Sequence, residues 1–189
     1  KIPLKSKNIT IRINKNDYLI DGSIENKNVK IDKKLIDNFF RPTLSKYEIN
    51  NINLSSKNDF QIKLNDNYRI TDLKFSSNLS LDSLDFKNDL KLDRFFPNLK
   101  RIIKLKNHSI NIKYDKKKLF IKGSGNIYFQ ENEDNIEYFV SNENNKYNFN
   151  TNLILQNNPL KINVLGYHKN EDSNAKIEID GLYIPQKKI

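Results

Sequence analysis

The 189-residue chain has no cysteine and no methionine, and only five glycines, five prolines and a single alanine. Without cysteine there are no disulfides, no thiolate metal sites and no cysteine nucleophile, although this does not fix the compartment. No run of 18 apolar residues occurs, so no stretch reads as a transmembrane helix. No signal-peptide pattern is visible either. The missing methionine and the opening Lys1-Ile2-Pro3 lead us to expect a piece cut from a longer protein. The length suffices for one domain with a real core, taken as a single unit over 1–189.

The formal charge of +10 invites a nucleic-acid or anionic-membrane reading. The composition argues otherwise. Lysine outnumbers arginine by more than five to one, and asparagine is roughly one residue in six. An AT-rich genome writes that bias at permissive surface positions. The lysines are scattered among Asp, Glu and Asn, so the clustered footprint of a nucleic-acid binder is missing and no nucleic-acid partner is expected.

What is present is alternation. Ile110, Ile112 and Tyr114 alternate with polar residues, and the run at 115–118 turns the chain. Leu119, Ile121, Gly123, Gly125, Ile127 and Phe129 share the next face, followed by Ile136, Tyr138 and Val140. Beyond a turn at 142–146, Tyr147, Phe149, Thr151, Leu153 and Leu155 alternate with asparagines. Asn157-Asn158-Pro159 turns into Leu160, Ile162 and Val164, and Ile177 and Ile179 close the series. A period of two puts every second side chain on one face, so each segment reads as a strand buried on one side.

The earlier half has the same habit. Ile9, Ile11 and Ile13 form a first strand, and Asp21-Gly22 reads as a hairpin dipeptide. Tyr47, Ile49, Ile52 and Leu54 look extended, with a phase slip at Asn50-Asn51 that predicts a bulge. Two short helical stretches are expected. One lies near 33–40, where Leu35, Ile36, Phe39 and Phe40 fall at helical spacing; the other lies at 93–99, beside Pro97. Ser23–Pro42 and Ser83–Pro97 resemble one another, which suggests sub-repeats over 18–75 and 76–189. The predicted fold is mainly β: an extended, curved, largely antiparallel sheet with one or two short helices.

No constellation suggests catalysis. Gly123-Ser124-Gly125 lies inside an alternating strand, so a bulge or a close neighbour explains it better than a phosphate cradle. His108 and His168 read as solvated loop histidines, without a second ligand at metal spacing. Glu131, Glu133, Asp134 and Glu137 cluster about a turn, where charge is expected. Ser124 lies outside any nucleophile-elbow pattern. Asn8, Asn53, Asn78 and Asn107 open glycosylation-type sequons, which so much asparagine produces by chance. The expectation is a non-enzymatic protein with no cofactor and no metal.

The feature that remains is a face of Ile, Leu, Val, Phe and Tyr without charge over successive strands. From periodicity alone it reads as the core of a closed β-sandwich, such as a surface structural or adhesion module, ahead of an open groove.

Leu119–Phe129, with its apolar-x-apolar-x-Gly-x-Gly cadence, resembles the AsmA-like family. So do Ile136–Val140, Tyr147–Leu153, Pro159–Tyr167 and Ile177–Gly181. The likeness is nearest to the YhdP-type members, with TamB more distant. Asp21–Ile24 and the Phe95-Phe96-Pro97 element fit as well. The resemblance implies a bacterial periplasmic protein, anchored to the inner membrane by an N-terminal helix outside this segment. It implies an open apolar groove that moves phospholipid toward the outer membrane, with phospholipid acyl chains and envelope proteins as partners. On that reading Ile112, Ile121, Ile127, Phe129, Tyr138, Phe149, Leu153, Ile162 and Val164 line the groove.

Overall fold

The computed structural model describes residues 3–15, 17–31, 48–89 and 91–185. The strands are β1 (Lys5–Asn14), β2 (Asp17–Ile31), β3 (Ile49–Asn65), β4 (Ile70–Lys87), β5 (Ile102–Asp115), β6 (Lys118–Tyr128), β7 (Asp134–Glu143), β8 (Lys146–Leu155), β9 (Leu160–Ile162), β10 (Tyr167–Lys169) and β11 (Ala175–Tyr183). Nine of them form one antiparallel sheet in the order β1-β2-β3-β4-β5-β6-β7-β8-β11, while β9 and β10 pair separately. The outer strands β1 and β11 do not meet, so the sheet is open and not a barrel.

Tight hairpins join the strands at one end of the sheet. Lys116 and Lys117 both have positive φ, as do Asn144 and Asn145. This is the conformation a two-residue turn needs to match the strand twist. The turns expected at 115–118 and 142–146 are therefore where the alternation put them. Asp21-Gly22 is not a turn. β2 runs straight through it, and the first hairpin closes between Asn14 and Asp17.

Four asparagines mark the bulges. Asn8, Asn28, Asn51 and Asn107 have φ between 48° and 54° and sit at register shifts in β1, β2, β3 and β5. Asparagine tolerates the left-handed region because its short amide can bond locally, and a bulge needs one such residue. Each bulge resets the phase. Ile49 and Ile52, three residues apart around Asn51, consequently pack into the same cluster with Leu81. The slip expected at Asn50-Asn51 is one of these four.

Long connections leave the other end, and two of them fold back over the apolar face. Phe96, from the β4–β5 connection, meets Phe129 edge-on at 4.9 Å. With Ile103, Ile127, Leu155 and Leu160 they form the main core. Backbone bonds from Lys161 N–H to Phe95 C=O (2.9 Å) and from Lys100 N–H to Phe129 C=O (2.8 Å) tie the connections to each other and to the end of β6. Each core side chain withdrawn from water here contributes roughly 2 kcal/mol.

The helices expected from sequence fare differently. Residues 33–40 lie outside the described residues. At 93–99 there are two successive turns and no helix, with the Phe95 and Phe96 N–H groups both bonded to Leu92 C=O. Pro97 has no N–H to continue the ladder. Val164 is not on a strand. It sits in a 3₁₀ turn (Asn163–Leu165) closed by Gly166 in the left-handed region, and it is 92% exposed.

A polar cluster anchors the second cover. Asp134, Asn158 and Gln130 are fully buried and Lys169 is 3% exposed. Asn158 Nδ2 donates to Asp134 Oδ2 (2.6 Å) and Asn132 C=O (2.7 Å). Gln156 N–H bonds Asp134 Oδ1 (2.8 Å), and Gln130 Nε2 bonds Pro159 C=O (3.0 Å). The Lys169 ammonium reaches the carbonyls of Asn158 (2.7 Å) and Asn170 (2.9 Å). Burying these groups is tolerable because they are bonded. Asp134 also lies opposite Ile127 and so shares the apolar phase. The expectation that no charge lies on that face is corrected here: the charge is present but sealed beneath the cover.

Candidate functional site

Cross-strand partners share a face, so the register defines the apolar surface row by row. One row runs Phe60–Phe75–Tyr114–Leu119–Asn142–Tyr147–Tyr183, from β3 to β11. The next runs Ile112–Ile121–Val140–Phe149–Gly181. Nearer the β1 edge, Ile11, Ile20, Ile62 and Leu73 align in the same way. No second layer covers these rows among the described residues. Ile9, Ile11 and Ile13 are more than half exposed, and Ile112, Ile121, Val140 and Phe149 are half-buried.

The residues expected to line a groove divide between two environments. Ile112, Ile121, Tyr138 and Phe149 lie on the uncovered part. Ile127 and Phe129 are core residues beneath the cover, with Leu153 and Ile162 packed against them. Val164 belongs to neither group. The apolar face is also interrupted near β2–β4. There Asn26 Nδ2 and Asn58 Nδ2 donate to Ser56 Oγ, and Ser77 Oγ donates to Asn58 Oδ1 (2.7 Å).

Glycines in the sheet make room for rings. A Cβ on Gly123 would lie 2.4 Å from the Tyr138 ring, one on Gly181 2.2 Å from the Phe149 ring, and one on Gly125 2.4 Å from the His108 ring. The Gly123-Ser124-Gly125 motif thus serves close neighbours, as its place in a strand suggested. Rings laid over cross-strand glycines pin the register.

His108 departs from expectation. It lies in β5, 1% exposed, and is not a loop residue. Its Nε2–H donates to Asn126 C=O (2.9 Å), and Tyr138 O–H approaches Nδ1 at 3.5 Å. The signal that could have located it was plain alternation, since His108 precedes Ile110 by two residues and lies opposite Leu81 on the apolar face. Burial lowers its pKa from 6.5, partly offset by the Asn126 carbonyl, and pushes the Tyr138 hydroxyl up to about 12. The native state therefore favours neutral imidazole, while the unfolded chain takes up a proton near pH 6.5. Stability should be fully present above that pH and be lost as pH falls through it toward the lower folded value. Thermal melts from pH 7.5 to 5 should show this slope, and His108→Gln should flatten it; parallel slopes would contradict the assignment. His168, in β10, is exposed as expected.

No protein-family model, curated protein or solved structure matches the chain. Among the described residues no group of three or more His, Asp or Glu could hold a metal.

The opposite face is polar but not uniformly so. Phe120 and Phe139 lie on it, 41% and 38% exposed, with centroids 6.5 Å apart. Their phase is the polar one, so alternation does not mark them as a site. A concavity of about 760 Å³ opens on this side, lined by Arg12, Lys74 and Lys113 and by Asp21, Asp59 and Asp115 among others. A second, of about 390 Å³, lies beside Phe120.

Proposed function

We propose that the chain is a non-enzymatic segment of an AsmA-like protein of the bacterial periplasm. Its uncovered apolar rows give phospholipid acyl chains a path between the inner and outer membranes. Anchoring to the inner membrane and contacts with envelope proteins would come from parts of the parent protein outside this segment. One observation carries the reading: the hairpin half of the apolar face has no second layer among the described residues, whereas the opposite end is closed by chain connections. A sandwich module would need a second sheet over the same rows.

Acyl chains can take the place of that layer, because apolar burial is non-directional and scales with area. Each buried methylene contributes roughly 0.8 kcal/mol. The stabilisation is spread over equivalent rows, so a chain can be held and still slide. No covalent step is involved, and no cofactor is needed.

Protein purified from a bacterial envelope should carry phospholipid detectable by mass spectrometry after solvent extraction. Phe149→Asp, which puts a charge in the uncovered row, should reduce the amount severalfold while the far-ultraviolet circular dichroism stays that of a sheet. Wild-type protein that extracts free of lipid would contradict the proposal.

A further inference from the structure

The polar face carries a group of side chains separate from the apolar rows. Side chains of β5 and β6 form a two-strand grid in register: Ser109 opposite Ser124, Asn111 opposite Lys122, and Lys113 opposite Phe120. Strand spacing sets the rungs roughly 5 Å across, and side chains of one face recur roughly every 7 Å along each strand. These six residues line the concavity of about 390 Å³. It adjoins the larger one, of about 760 Å³, at Lys113.

Three properties of the grid point to a ligand. Neither Lys113 nor Lys122 has an ion-pair partner among the described residues, a state they share with Lys57 in the cross-strand row of Lys122, so two ammonium groups on adjacent strands are free to meet an anion. Phe120 offers an aromatic surface to water on a face whose neighbours are polar, with Phe139 beside it. Hydroxyl and amide groups fill the remaining positions, and Asn111 Nδ2 is oriented by donating to Asn78 Oδ1.

We infer that this grid binds an acidic saccharide. A sugar ring laid on Phe120 buries its apolar C–H face, its hydroxyls meet Ser109, Ser124 and Asn111, and its carboxylate lies between the two ammonium groups. Charge-assisted bonds of this kind are the strong ones. The grid has the footprint of about two sugar rings by these spacings, and the adjoining concavity, where Asp21, Asp59 and Asp115 join Arg12, Lys74 and Lys113, confines the acidic ligand to the grid. A single-stranded nucleic acid fits less well, because it calls for a basic groove that tracks the backbone, with repeated stacking platforms.

Titration calorimetry with α-1,4-linked tetragalacturonate at physiological salt tests this, with maltotetraose and a short oligothymidylate as comparisons. Tetragalacturonate should bind and maltotetraose should not. Lys122→Gln, Lys113→Gln and Phe120→Ser should each weaken binding about tenfold, the loss of one charged hydrogen bond or one stacking surface. Lys146→Gln, on β8 outside the grid, should leave binding unchanged. All four positions are at the surface, so circular dichroism should report an intact sheet. No heat with tetragalacturonate, or equal weakening by Lys146→Gln, would overturn the inference. Tighter binding of the oligothymidylate would make the site one for nucleic acid and overturn it equally. Either outcome leaves lipid capture by the other face untouched.

Discussion

Leu155→Asp should abolish the fold, whereas Phe149→Asp, six residues earlier on the same face of the same strand, should leave the chain folded. Leu155 is fully buried among Ile103, Ile127, Phe129 and Leu160. Replacing it forfeits a core leucine, which costs about 2–5 kcal/mol. It also leaves a carboxylate without a partner under the cover, a penalty of similar size. The sum approaches the roughly 5–15 kcal/mol that holds a domain together. Phe149 faces uncovered surface, where a carboxylate can hydrate. Its loss removes one ring from over Gly181, at a cost of about 1 kcal/mol. Urea melts followed by circular dichroism would separate the two variants. Equal destabilisation would mean that the hairpin half of the face is closed in solution.

Gly125→Ala is the second large effect, out of proportion to one added methyl. The new Cβ would lie 2.4 Å from the His108 ring and 2.7 Å from the His108 Cα. A flexible side chain can swing aside, but a backbone atom yields only if the strand itself shifts. Overpacking of this kind costs about 1–3 kcal/mol. The same substitution at Gly166, where nothing lies within 4 Å of the added atom, meets only the strain of its positive φ of 59°, about 1 kcal/mol. Gly125→Ala should lower the urea midpoint more than Gly166→Ala; the reverse order would contradict the packing of His108 against β6.

The fold was largely legible in the residues, and the reasons are local. Ile110-x-Ile112-x-Tyr114 and Tyr147-x-Phe149-x-Thr151 can satisfy a one-sided sheet and little else, and the sheet has them in that phase. The dipeptides Lys116-Lys117 and Asn144-Asn145 sit where alternation stops, and both are turns. Asp21-Gly22 misled because a glycine that makes room for Phe60 looks the same in sequence as one that makes a turn. Val164 misled for a related reason. Alternation cannot register a 3₁₀ turn that Gly166 closes two residues later.

The site was less legible, because a period of two assigns a face but not what lies on it. Ile121 and Ile127 share their phase in β6, yet only Ile127 lies beneath Phe96 and Leu160. That difference depends on where the long connections fold back, a tertiary fact no strand pattern encodes. Asp134 was read as part of a turn, since a lone carboxylate gives no hint that Asn158 and the Gln156 N–H will enclose it. Phe120 and Phe139 escaped notice because apolar residues on a polar phase look like noise in so biased a composition.

The most direct test of the account is site-specific photo-crosslinking, with a benzophenone side chain placed in turn at positions 121, 149 and 129 and irradiated in the bacterial envelope. The account predicts phospholipid adducts from 121 and 149, on the uncovered rows, and none from 129, beneath the cover. Adducts absent from 121 and 149, or equally abundant from 129, would contradict it.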